Sequence, residues 1–146
     1  MQRIKRSALV NYSAAQMYYL ANDVLSYPQF LPGCVGSRIH EKTETTMVAS
    51  IDVAKVGIRK TFTTRNQMVV DSVIDMTLVD GPFRTLQGGW HFTPLGDDAC
   101  KIEFALEFEF SSRLVEIAFG RIFHELAQNM VQAFIKRAKE VYGVGH

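Results

Sequence analysis

Cysteine is scarce in this chain. Its 146 residues hold only Cys34 and Cys100, with no C-x-x-C pair, which argues against a disulfide framework or a thiolate metal cage. Both thiols are expected to stay reduced. The four histidines, His40, His91, His124 and His146, share no metal-ligand spacing with one another or with the cysteines, so no metal site is expected. An excess of one charge is also missing: sixteen basic residues accompany fifteen acidic ones, for a formal net charge of +1. That balance gives no overall attraction to DNA or to an anionic membrane, and any basic patch would have to be local. No uncharged apolar run approaches the roughly 18 residues of a membrane span, and the apolar part of "MQRIKRSALV" is too short for a signal peptide. A cytoplasmic protein without stable membrane insertion is the expectation. No repeat, low-complexity tract or Pro/Gly/Ser-rich linker divides the sequence, so residues 1–146 read as one domain.

What is present is periodicity that changes twice. Arg3 to Val10 reads as a strand, and Ser13 then looks like a helix N-cap for "SAAQMYYLANDV", which places Met17, Leu20 and Val24 on one face. From Val35 to Phe110 the period is two, with turn signals at "EKTETT", "AKVG", "VVDS", "VDGPF" and "LGDD" separating about six strands. In "KIEFALEFEF" the residues Ile102, Phe104, Leu106, Phe108 and Phe110 point one way and the charges the other, so one face of the sheet is buried. "LQGGWHFTP" aims Leu86, Trp90 and Phe92 to one side but interposes Gly88 and Gly89, which predicts a bulge or a close backbone approach. Ser112 to Tyr142 has helical period throughout, and is expected to form one long amphipathic helix with Val115, Phe119, Ile122, Phe123, Leu126, Met130, Phe134 and Val141 in its stripe. Arg137 interrupts that stripe and Gly120 sits inside the helix. The expected fold class is α+β: a curved antiparallel sheet of about seven strands gripping the C-terminal helix. Small residues at Ala49, Thr64 and Gly88 leave room for an internal cavity.

Between the first helix and the first strand of the meander lies "YPQFLPGC", an apolar loop held by two prolines. This stretch, with Tyr27, Pro28, Phe30, Leu31, Pro32 and Cys34, resembles a motif of the START-like, helix-grip superfamily of polyketide cyclase and lipid-transfer domains, and within it the coenzyme Q-binding family. Asp80, Gly81, Pro82 and Phe83 in "VDGPF" and Phe119 with Gly120 in "EIAFGRIFHELAQNMVQAFIKRAKEVY" extend the resemblance. "SALVNYSAAQMYYLANDV", "KTFTTRNQM" and "FRTLQGGWHFTPL" carry it over nearly the whole chain, most closely toward a bacterial branch of ribosome-association toxins. One departure is Asn11, where family members often have proline before the tyrosine and serine; it concerns a turn.

The resemblance implies a hydrophobic pocket between sheet and helix that holds ubiquinone or a similar polyprenyl lipid, in a non-enzymatic protein supporting respiration. Its candidate lining is Tyr27, Phe30, Leu31, Phe83 and Trp90 with Phe119, Ile122, Phe123, Leu126 and Met130. Phe30 and Leu31 are expected to form an apolar lid at the cavity mouth and Phe83 a second tip, unless both loops fold inward as core. No cofactor is required on this reading. The bacterial branch also implies a toxin that binds the large ribosomal subunit and blocks subunit joining, inhibiting translation initiation. Arg121, Lys136 and Lys139 are the candidate contacts, because phosphate contact needs only a local basic stripe. Catalysis would need a positioned acid or base. Asn66, Glu116 and Arg137 are the only candidates, and no nucleophile has a partner base, so no enzymatic activity is expected. Arg137 is expected to pack its stem and turn its head outward.

Overall fold

The computed structural model describes residues 1–144, so His146 lies outside the described residues. The chain runs β1 (Gln2–Val10), α1 (Ala14–Asn22), a 3-10 turn (Val24–Ser26), α2 (Tyr27–Phe30), then β2 (Cys34–Lys42), β3 (Thr46–Lys55), β4 (Ile58–Val69), β5 (Val73–Asp80), β6 (Phe83–Pro94) and β7 (Cys100–Phe110), and closes with α3 (Arg113–Gln128) and α4 (Met130–Tyr142). The seven strands form one antiparallel sheet in the order β1-β7-β6-β5-β4-β3-β2. A meander with tight turns can only pair neighbours, and β1 completes the sheet by pairing with β7, Ile4 opposite Leu106. The expected sheet and its helical cover are both present.

Local chemistry accounts for the helix starts. Ser13 and Gln16 form a capping box: the Gln16 backbone N–H donates to Ser13 Oγ at 3.0 Å, and the Ser13 N–H donates to Gln16 Oε1 at 2.8 Å. Ser112 caps α3 by accepting from the Val115 N–H at 3.1 Å. The single long helix read from the sequence is in fact two. At Asn129 the backbone takes φ −94° and ψ 1°, outside the helical well, although its N–H still reaches Glu125 O at 3.1 Å. Asparagine is a poor helix former because its side chain competes for backbone groups, so a bend over the curved sheet costs little there. The bend sets apart the two halves of the apolar stripe. Val115 and Ile122 are only half-buried, and Val141 is exposed. Two hydrogen bonds tie the end of α4 to the α1 region, Tyr12 Oη donating to Gly143 O at 2.6 Å and Tyr142 Oη to Gln16 O at 3.0 Å.

Gly88 and Gly89 mark a close approach. Both have φ +147°, and an added Cβ would lie 2.0 Å from Ala105 O at Gly88 and 1.8 Å from Ile74 O at Gly89. The register shift in β6 falls instead between Phe83 and Thr85.

On the face of β2, β3 and β4 turned away from the helices, Asp52 is buried at 3% exposure. Its carboxylate accepts from both terminal nitrogens of Arg38 at 2.8 and 3.0 Å, from Thr61 Oγ1 at 2.6 Å and from Arg59 at 3.2 Å. Gly36 makes the room, since a Cβ there would sit 2.5 Å from Asp52 Oδ2. The Arg38 guanidinium, then Thr61 and Arg59, hold the Asp52 carboxyl well below the usual carboxylate range. A depressed folded-state pKa adds stability that is complete above the unfolded value of about 4 and is lost as pH falls toward the folded value. Asp52→Asn is therefore expected to lower unfolding free energy by about 2 kcal/mol at pH 7, with the gap from wild type narrowing below about pH 4. Urea midpoints at pH 7 and pH 3 test this; a gap that does not narrow would contradict the assignment.

Candidate functional site

Two rows of apolar side chains meet where the helical cover bends. Phe104 and Leu106 on β7, Leu86 and Trp90 on β6, Met76 on β5, Phe62 on β4 and Ala49 and Ile51 on β3 look toward Phe123 and Leu126 of α3 and Met130 of α4. Tyr27, Leu31 and Val24 close one side. Between them is a cavity of about 50 Å³. Sites for drug-sized ligands run from roughly 300 Å³ upward, so this cavity is closed down and a large ligand must displace its walls. Met76 and Met130 are suited to that, because an unbranched thioether repacks at low cost.

Among the described residues, the lining carries no Asp, Glu, Lys, Arg or His side chain. Its polar members are few. Tyr27 Oη donates to Ala21 O, and burial pushes that phenol well above its ordinary pKa. Thr64 and Asn66, at 7% and 5% exposure, belong to the inward row of β4 between Phe62 and Met68, and Thr64 Oγ1 donates to Asn66 Oδ1 at 2.8 Å.

Of the ten residues read as candidate lining, Tyr27, Leu31, Trp90, Phe123, Leu126 and Met130 do face the cavity. Phe30, Phe83, Phe119 and Ile122 do not. Phe83 and Phe119 are taken up by a phenylalanine cluster at one end of the core, where Phe83 lies 5.3 Å from Phe110 and 4.8 Å from Phe123, centroid to centroid. The "VDGPF" turn is thus a core plug rather than a tip at a mouth. Ile122 is half-buried against the core from outside. Phe30 sits one layer out, half-buried, edge-on to Tyr27 at 5.9 Å and to Phe134 at 5.0 Å.

The apolar loop is a short helix, α2, with Pro28 in its first turn, and two of its large side chains turn inward: Tyr27 and Leu31 are 5% and 2% exposed. Arg137 closes over it, its guanidinium carbon 5.1 Å from the Phe30 ring centroid and one terminal nitrogen donating to Gln29 Oε1 at 3.3 Å. Thr64, read from the sequence as leaving room for a cavity, and Asn66, read as a candidate polar group, both line it, as the alternation Phe62, Thr64, Asn66, Met68 in "KTFTTRNQM" implies; the sheet residues Phe62, Met76, Leu86, Phe104 and Leu106 are lining residues that the sequence reading leaves out. Glu116 is exposed, accepts from Gln2 Nε2 at 3.3 Å and takes no part in the wall of this cavity.

Neither cysteine belongs to the site. Both are buried and free, and desolvation pushes each thiol up to about 11, which leaves them inert at neutral pH. Among the described residues no cluster of His, Cys, Asp or Glu could hold a metal ion, and no helix is long and apolar enough to cross a membrane. Arg121, Lys136 and Lys139 are exposed and make no ion pair among the described residues.

The same architecture occurs in the crystal structure of the Zhui aromatase/cyclase from Streptomyces sp. R1128, with a TM-score of 0.83 at 15% identity, covering 95% of this chain and 94% of that one. The ribosome association toxin RatA of Escherichia coli K12 is 66% identical over 142 residues, covering 97% of this chain and 90% of its own. The mitochondrial coenzyme Q-binding protein COQ10 homolog B of Xenopus laevis is 28% identical over 141 residues, covering 94% of this chain and 58% of its own. The family described as polyketide cyclase / dehydrase and lipid transport matches residues 10–135, a span that runs from the end of β1 into α4 and takes in every residue of the cavity wall. With its START-like sheet, its helical grip and this match over most of its length, the chain belongs to that family.

Proposed function

We propose that the chain binds an uncharged, apolar lipid in this cavity, ubiquinone or another polyprenyl quinone, and performs no chemistry on it. The observation that carries the reading is the composition of the wall: apolar throughout but for Thr64, Asn66 and the engaged hydroxyl of Tyr27, with no acid or base poised to transfer a proton. The likeness to a coenzyme Q-binding protein agrees with it.

Trp90 supplies the test. It is 2% exposed, faces the cavity and is the only tryptophan in the chain. A quinone with a short prenyl tail is expected to quench it saturably with Kd in the micromolar range or tighter, about −8 kcal/mol. Mass spectrometry of a solvent extract of the purified protein should show an isoprenoid quinone. A linear, unsaturating quench together with empty extracts would end the reading.

A second reading is association with the large ribosomal subunit, and the observation favouring it is the 66% identity, over 97% of the chain, to a protein named a ribosome association toxin. Arg121, Lys136 and Lys139 are the candidate phosphate contacts. Lys136→Glu with Lys139→Glu is expected to weaken co-sedimentation with large subunits about tenfold or more and to flatten its salt dependence by about one unit of log–log slope per lost contact. An unchanged profile would remove these lysines from the interface.

A further inference from the structure

The one hydrogen bond that the Asn66 side chain makes among the described residues is the one its oxygen accepts from Thr64. That bond fixes the amide. With Oδ1 turned to the Thr64 hydroxyl, the NH₂ group is left as a pair of donors without a protein partner, on a wall that is otherwise apolar. Asn66 opens onto the cavity, and an acceptor bound there would pair these donors. Among the described residues no cation lines the cavity to balance a carboxylate or a phosphate, and burying either unpaired would cost far more than its apolar tail could return.

We infer that Asn66 is the specificity-determining residue of the cavity: it donates to a neutral carbonyl oxygen of the ligand, positioned for that by Thr64, and the cavity rejects lipids with charged head groups. Fatty acids and phospholipids are thereby excluded, and a quinone carbonyl is accepted. This rests on the lipid-binding reading above and adds the chemical class of head group.

The probes are ubiquinone with a ten-carbon chain, decylbenzene as its carbonyl-free counterpart, and decanoate as the charged one, each followed by Trp90 fluorescence and by isothermal calorimetry. Wild type is expected to bind the quinone at least tenfold more tightly than decanoate. Asn66→Leu is expected to weaken the quinone about tenfold and to leave decylbenzene unchanged or tighter. Thr64→Val, which releases the amide without removing it, should weaken the quinone by a few-fold only and serves if Asn66→Leu does not fold. If wild type binds the quinone and a folded variant of either kind binds it equally well, the assignment of Asn66 is overturned while the lipid-binding reading stands. Equal affinity of wild type for decanoate overturns the exclusion of charge. If wild type binds no probe saturably, the lipid-binding reading itself fails and this inference fails with it.

Discussion

Gly89→Ala is expected to yield no folded protein under conditions where wild type is stable. The added methyl would sit 1.8 Å from the Ile74 carbonyl oxygen and 2.9 Å from its carbon, both backbone atoms of the neighbouring strand, at a φ of +147° that L side chains rarely adopt. Neither obstacle can move cheaply, because Asp75 on β5 and Ala105 on β7 pair with Gly89 from both sides. Separating these strands breaks the middle of the sheet. The loss should exceed about 5 kcal/mol, the lower end of the whole stability of a domain. Gly57→Ala provides the control: it too has positive φ, at +81°, but nothing lies within 4 Å of its added Cβ. It should cost about 1 kcal/mol through backbone strain alone. Urea unfolding followed by far-ultraviolet circular dichroism compares the two. A Gly89→Ala protein that unfolds near the wild-type midpoint would show that the sheet opens at β5–β6 far more easily than its pairing implies.

Phe134→Ala should be the next most damaging change. Phe134 is 1% exposed and holds α4 to the rest of the molecule through three rings on two other elements: Tyr27 and Phe30 of α2 at 5.4 and 5.0 Å, and Trp90 of β6 at 5.1 Å. Removing it leaves a void among rings that cannot collapse together, so a cost of about 3 to 5 kcal/mol is expected. Phe30→Ala removes a ring from the outside of the same cluster and should cost about 1 to 2 kcal/mol, since part of that ring is already in water. Urea midpoints give both values. Trp90 emission in the folded Phe134→Ala protein should shift to the red as water reaches the indole. A loss below about 1 kcal/mol at Phe134 would mean that α4 is held by its end contacts at Tyr12 and Tyr142 rather than by this cluster.

These two substitutions also separate what could be read directly from what could not. The pair of glycines in "LQGGWHFTP" announces a close approach, but only the register shows which carbonyls come close. The stripe of Phe119, Phe123, Leu126, Met130 and Phe134 announces a buried helix face. It does not reveal that Asn129 divides the helix, nor that Phe119 packs into a phenylalanine cluster while Leu126 and Met130 face the cavity and Phe123 touches both. Period and composition treat all these residues alike.

The sequence by itself determined the seven strands with their helical cover, the inward faces of β6 and β7, the N-cap at Ser13 and the family, because each of these follows from neighbours a few residues apart or from a motif kept in one stretch of chain. Tertiary structure alone decided which inward residues fill the core and which leave a gap. Tyr27, Phe62, Asn66, Trp90 and Met130 meet around one cavity from four separate segments, and whether space remains between them depends on the bend at Asn129, the curvature of the sheet and the inward turn of α2. Those are set by packing across the whole molecule. A one-dimensional pattern records that a side chain is buried, but the volume left beside it is fixed by partners distant in sequence.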